Sequence, residues 1–106
     1  MPLRMFVDAL LLCALGAVAT GAVAHEVSEN DHHAFEHKYA EQCIARESRG
    51  NVDPASVRDL CECIAREESK RLTYDEVRKF VHENKYPVSL LIKNDAAVSV
   101  CTGQKL

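Results

Sequence analysis

Apolar residues recur at helical spacing in four stretches beyond residue 30, with chain breakers between them. Phe35, Tyr39 and Cys43 form an i, i+4, i+8 series with Ala40 and Ile44 beside it. On a helix turning about 100° per residue, that series makes one apolar stripe. Asn30 or Asp31 is expected to cap its start, since a short polar side chain accepts from the free amides of a first turn. Gly50-Asn51 is expected to end it, with Gly50 as a left-handed cap. Asp53-Pro54 opens a second helix, because Asp caps well and Pro at the first helical position gives up no hydrogen bond. Its stripe is Val57, Leu60, Cys61 and Ile64, and Asp59, Glu62, Arg66, Glu67 and Lys70 are its wet side. Thr73-Tyr74-Asp75-Glu76 is a capping box for a third helix, whose stripe is Tyr74, Val77, Phe80 and Val81. Asn84-Lys85-Tyr86-Pro87 breaks the chain again. A fourth segment over residues 87–100 carries Val88, Leu91, Ile92, Ala96 and Val98. It reads as a helix, because a strand over residues 88–92 would have no second strand to pair with. The expected fold class is all-α: a small, disulfide-stapled array of about four helices joined by short loops.

The first residues follow a different pattern. Arg4 gives a positive start, an apolar run spans residues 9–19, and Ala22-Val23-Ala24 is an A-x-A cleavage pattern. The run is short beside the roughly 20 apolar residues of a membrane span. Residues 1–24 are therefore expected to be a removable export signal, with His25 as the new N-terminus. Cys13 would leave with the signal, since Leu12 before it makes a poor lipoprotein box. Residues 25–30 are polar and expected to be flexible, which leaves residues 31–106 as a single helical domain.

Composition narrows the function classes. The net charge is −3, and the export segment does not change it because Arg4 and Asp8 cancel. A mildly acidic chain with no basic patch is not expected to bind nucleic acid. Without the export segment it has no expected membrane association. No Gly-rich loop, Ser-His-Asp set or paired-carboxylate cleft is visible in the sequence, so no enzymatic activity and no bound cofactor are expected.

Four cysteines remain after the signal: Cys43, Cys61, Cys63 and Cys101. In a small exported protein an even count reads as two bridges. Residues two apart on a helix point about 200° apart, which disfavours Cys61–Cys63. If the first two helices form an antiparallel hairpin about residues 50–53, Cys43 and Cys61 come to opposite positions. That register favours Cys43–Cys61 with Cys63–Cys101. The alternative is Cys43–Cys63 with Cys61–Cys101. The competing chemistry for Cys61 and Cys63 is a redox dithiol, but Asp59 and Glu62 beside them would raise a thiol pKa rather than lower it.

Four of the five histidines cluster as His25, His32, His33 and His37. His33 and His37 stand at i, i+4, so a helix puts both rings on one face. Such a pair suits zinc, copper or nickel. Glu29, Asp31, Glu36 or Glu41 can supply an oxygen. The amine and ring of a terminal His25 can chelate copper together, which resembles the histidine brace of some copper proteins. The same cluster also reads as a solvated helix start, or as a set of groups that charge together near pH 6.

The order of Cys43, Leu60-Cys61-Glu62-Cys63-Ile64, Leu72-Thr73 and Cys101 resembles small exported Cys-x-Cys helical proteins of bacteria, many of unknown function. The stretch from Leu72-Thr73 to Tyr86-Pro87, with the final cysteine, is similar to periplasmic immunity proteins that neutralise secreted cell-wall amidases. The Cys-x-Cys motif and the histidine cluster do not belong to that second pattern. These features together lead to a periplasmic or secreted, non-enzymatic binding protein whose partner is another protein. The competing readings are a periplasmic metal-binding protein using His33, His37 and His25, an inhibitor of a secreted cell-wall enzyme, and a thiol redox protein using Cys61 and Cys63.

Overall fold

The computed structural model describes residues 26–103, and the export segment with His25 lies outside them. Four helices follow one another: α1 (Glu29–Glu47), α2 (Pro54–Ser69), α3 (Tyr74–Glu83) and α4 (Val88–Thr102). No strand occurs among the described residues. The chain is therefore an all-α array of four helices, and two disulfides staple it. No helix among the described residues is long and apolar enough to cross a membrane.

Helix α1 starts earlier than its apolar stripe implies. Ser28 is the N-cap rather than Asn30 or Asp31, so residues 29 and 30 are helical. Asp31 Oδ2 accepts from the Ser28 amide at 3.2 Å, and the Asp31 amide donates to Ser28 Oγ at 3.1 Å. This reciprocal box satisfies two amides at once, which a single Asn or Asp cap would not. The other end also differs. Helix α1 stops at Glu47 with Ser48 as C-cap, and Gly50 takes φ +77° inside the following loop rather than at the cap. The second and third starts lie at Asp53-Pro54 and at the Thr73–Glu76 box. Asn84 ends α3 in the left-handed region at φ 56°, a conformation Asn tolerates better than most residues.

Helix α2 is the centre of the array. Cys43–Cys61 and a His32–Ser69 hydrogen bond of 2.7 Å join α1 to it in antiparallel register. Cys63–Cys101 and an Asn94–Glu68 hydrogen bond of 2.9 Å do the same for α4. Helices α1 and α4 flank α2 but hardly touch each other, while α3 packs on α1.

The core is a row of aromatics running from α1 through α3 into the α3–α4 loop. Phe35 stacks on Tyr39, tilts against Phe80 at 5.1 Å, and Phe80 meets the edge of Tyr86 at 5.5 Å. Phe35 is fully buried, and burying one such side chain stabilises the fold by about 1.5–3 kcal/mol. Lys38 then ties α3 down from α1. Its ammonium sits 5.0 Å from the Phe80 ring centroid and donates to the carbonyls of Phe80 and Val81 and to Asn84 Oδ1. A cation at these last carbonyls complements the negative end of the α3 dipole.

Glu76 ties α3 to α4 in a similar way. Its carboxylate accepts from Lys93 Nζ at 2.7 Å, from Ser89 Oγ and from the Thr73 amide. Burial alone would push its pKa up. The bonds from Lys93, Ser89 and Thr73 outweigh that and hold it below the ordinary glutamate value.

Candidate functional site

A groove of about 500 Å³ opens between α1, the end of α3 with its following loop, and α4. That volume lies within the range of ligand clefts. Tyr39 and Phe80 are buried and form its floor, with Tyr86 and Asn94 half-buried beside them. Leu91 lines the α4 side. Lys38, Asn84 and Lys85 stand at one end, Gln42 and Arg46 toward the other. On α1 the span from Lys38 to Arg46 is about 12 Å, at about 1.5 Å rise per residue.

Beneath this floor lies Glu68, a fully buried carboxyl. Tyr86 Oη donates to its Oε2, and Asn94 Nδ2 donates to its Oε1 at 2.9 Å and to Tyr39 Oη at 2.7 Å. One carboxyl thus joins α1, α2, α4 and the α3–α4 loop at a single point. Burial pushes its pKa up, and the nearby Glu76 charge adds to the rise. The bonds from Asn94 and Tyr86 only partly oppose it. Burial raises both phenols as well, and the Glu68 carboxylate raises Tyr86 further.

Helix α4 continues the groove outward. The buried residues of α4 are Leu90 and Ala97, while Val88, Leu91 and Ile92 are exposed by 70 %, 53 % and 65 %. Three of the apolar residues expected along this segment therefore face outward. Spacings of three and four residues place them in one exposed stripe beside the groove. Contiguous exposed apolar surface of this kind marks interaction sites on soluble proteins.

The cysteines join the middle of α2 to the C-terminal halves of α1 and α4. Cys43 bonds to Cys61 with their Cα atoms 5.7 Å apart, and Cys63 bonds to Cys101 at 6.0 Å. This is the pairing that the hairpin register favours. Neighbours in the Cys61-Glu62-Cys63 motif thus serve two different bridges, one to α1 and one to α4. Cys61 is fully buried, whereas thiol–disulfide exchange uses an accessible, low-pKa cysteine.

The histidines divide. His32 is half-buried, its Nδ1 within 2.7 Å of Ser69 Oγ. His33 and His37 are exposed, and each faces a carboxylate of its own helix. His33 Nε2 is 4.0 Å from Glu29, and His37 Nε2 is 3.1 Å from Glu41. Both rings also border a shallow groove shared with Glu36, Glu62 and Arg66. Among the described residues no three His, Cys, Asp or Glu side chains converge as a metal-binding group. His25 is outside the described residues, and His82 is exposed near the end of α3.

The sequence reading did not single out Glu68, Asn94 or the groove. The one available signal was the apolar excess of α4, which has more apolar positions than one buried face can hold. Comparison with family models, known proteins and solved structures found no match.

Proposed function

We propose that this chain is exported to the periplasm and works there, without catalysis, as a binding protein for another protein. The carrying observation is the exposed Val88, Leu91 and Ile92 stripe on α4 beside the aromatic-floored groove between α1 and α4. Two bridges hold the helices beneath it in place, so little conformational freedom remains to be lost when a partner docks. The half-buried Tyr86 offers a ring with few rotatable bonds, a residue type favoured at interface centres. The groove starts at the hydrogen-bonded end, at Lys38, Asn84 and Lys85, and runs along α1 past Cys43 to Arg46.

The test is complex formation in the cells that make the protein. Wild-type chain is expected to migrate in a complex on a native gel. A Leu91→Asp plus Ile92→Asp variant is expected to migrate free while keeping its melting temperature. Unchanged co-migration of that variant would remove the groove and its α4 rim from the interface.

A second reading is metal binding at His33 and His37, favoured by one observation. Both rings border the same shallow groove as Glu36 and Glu62. Exposed ligands of this kind give at most modest affinity, which falls as the imidazoles protonate. Calorimetry with zinc and copper tests it. Heat that disappears in the His33→Ala plus His37→Ala variant supports the site, and heat that persists places binding elsewhere.

A further inference from the structure

We infer that the groove takes a short amphipathic helix from the partner protein, apolar at its centre and acidic at both ends. This rests on the reading of the groove as an interface and names its occupant. The described residues that line the groove include cations but no carboxylate, although the chain as a whole carries a net charge of −3. The cations are not equivalent. Lys38 is committed to the last carbonyls of α3. Arg46 and Lys85 sit toward opposite ends, each paired with a neighbouring carboxylate, Glu47 at 3.3 Å and Glu83 at 3.4 Å, and Arg46 also reaches the Tyr39 hydroxyl. Exposed pairs of this sort contribute little and exchange readily for a partner's carboxylate.

The middle of the groove has the opposite character. Its floor is Tyr39 and Phe80 with Tyr86 beside them, its rim Leu91, and the fully buried Glu68 lies underneath. A carboxylate placed over the middle would meet that buried acid, whereas an apolar side chain would meet rings and Leu91. The pattern of cation, apolar centre and cation occurs once, alongside the roughly 12 Å of α1 from Lys38 to Arg46, or about two helical turns.

Helix geometry is favoured over an extended strand for two reasons. The described residues offer no sheet edge for strand addition. Helices α1 and α4 are both antiparallel to α2 and so run in the same direction on the two sides of the groove, and a furrow between two such helices accepts the ridge of a third.

The test is calorimetry on the disulfide-intact protein with two synthetic peptides of about 12 residues, three turns each. One has glutamates in its first and last turns and leucines at i, i+4 spacing between them. Its twin has lysines in place of the glutamates. The glutamate peptide is expected to bind, and the lysine twin about tenfold more weakly. Arg46→Glu plus Lys85→Glu is expected to reverse that order. Both substitutions are at exposed positions, and the peptide comparison on wild-type protein stands without them.

Equal binding of the twins, or no binding of either, overturns the proposal. Binding of decanoate in the groove without either peptide also overturns it, in favour of a small amphiphilic anion. The native-gel experiment separates the two levels. If neither peptide binds but Leu91→Asp plus Ile92→Asp still frees the chain from its complex, the occupant is wrong and the interface stands. If the complex survives as well, both fall.

Discussion

The two ends of the helical array are held by different chemistry. At one end, around Cys43, Cys61, Cys63 and Cys101, α2 is joined covalently to α1 and to α4. At the other, α3, the α3–α4 loop and the first turns of α4 are held by aromatic packing and buried hydrogen bonds centred on Phe80, Glu68 and Glu76. Charge and pH act weakly on the first kind of bond and strongly on the second. The exposed apolar stripe lies at the second end, and the groove begins there and runs along α1 to Arg46. A small chain can place its binding surface on the more adjustable end when crosslinks secure the rest.

The largest expected effect comes from breaking the covalent end. The chain-entropy model assigns about 3 kcal/mol to a bridge closing a loop like that of Cys43–Cys61 and about 4 kcal/mol to one like Cys63–Cys101. Paired Cys→Ala replacement at either bridge, followed by urea denaturation, is expected to show losses of that order, with the longer loop costing more. Removal of both is expected to leave a chain that no longer melts cooperatively. Cooperative melting in excess reductant would show that the hydrogen-bonded end sustains the fold alone.

Next in size is a contrast between two adjacent residues of α4. Leu90 is fully buried and Leu91 is 53 % exposed. Leu90→Ala is expected to cost about 2–5 kcal/mol through lost burial and a cavity. Leu91→Ala is expected to stay within about 0.5 kcal/mol of wild type. Comparable losses at the two positions would mean that α4 is rotated from the face described above.

The hydrogen-bonded end is also expected to be pH-sensitive in two opposite ways. Glu68 has a raised pKa in the folded chain, so the folded state holds its proton more tightly than the unfolded state does. Its contribution is complete below the ordinary glutamate value of 4.5 and is lost as pH rises through the folded value. Glu76 has a lowered pKa, so its contribution is present above 4.5 and is lost as pH falls through its folded value. Urea midpoints measured across the acid range are expected to decline on both sides. Glu68→Gln should flatten the decline on the alkaline side and leave the acid side in place. Tyr86→Phe removes one of the donors to Glu68, costs about 1–3 kcal/mol at neutral pH, and is expected to cost less once Glu68 is protonated.

Local signals were readable where they act within a few residues. The Asp53-Pro54 start and the Thr73–Glu76 box work through side chains three residues from the amides they satisfy, so four letters of sequence carry the whole interaction. Ser28 and Asp31 form the same kind of box, but two further acceptors, Glu29 and Asn30, lie between them and blur the start of α1. Glu68 was not readable. It sits in the run Arg66-Glu67-Glu68-Ser69-Lys70, which looks uniformly wet, and its burial depends on Tyr86 and Asn94 from elsewhere in the chain. The outward face of α4 was hidden for a related reason. A segment with apolar residues at 88, 90, 91, 92, 96, 97 and 98 has no single periodic stripe, so only the packing against α2 decides that Leu90 and Ala97 turn inward.

The central claim is that the groove side of the hydrogen-bonded end, and not the stapled end, meets the partner. The most direct measurement is site-specific photo-crosslinking in the producing cells, with the photoreactive residue at Ile92 in one variant and at Asp59 in another. Both positions are exposed. Ile92 belongs to the exposed stripe and follows Leu91, the α4 residue that rims the groove, and Asp59 lies on α2 near the disulfides. A discrete heavier adduct from Ile92, absent from Asp59, is the result expected. An adduct from Asp59 with none from Ile92 would contradict the account and move the interface to the stapled end.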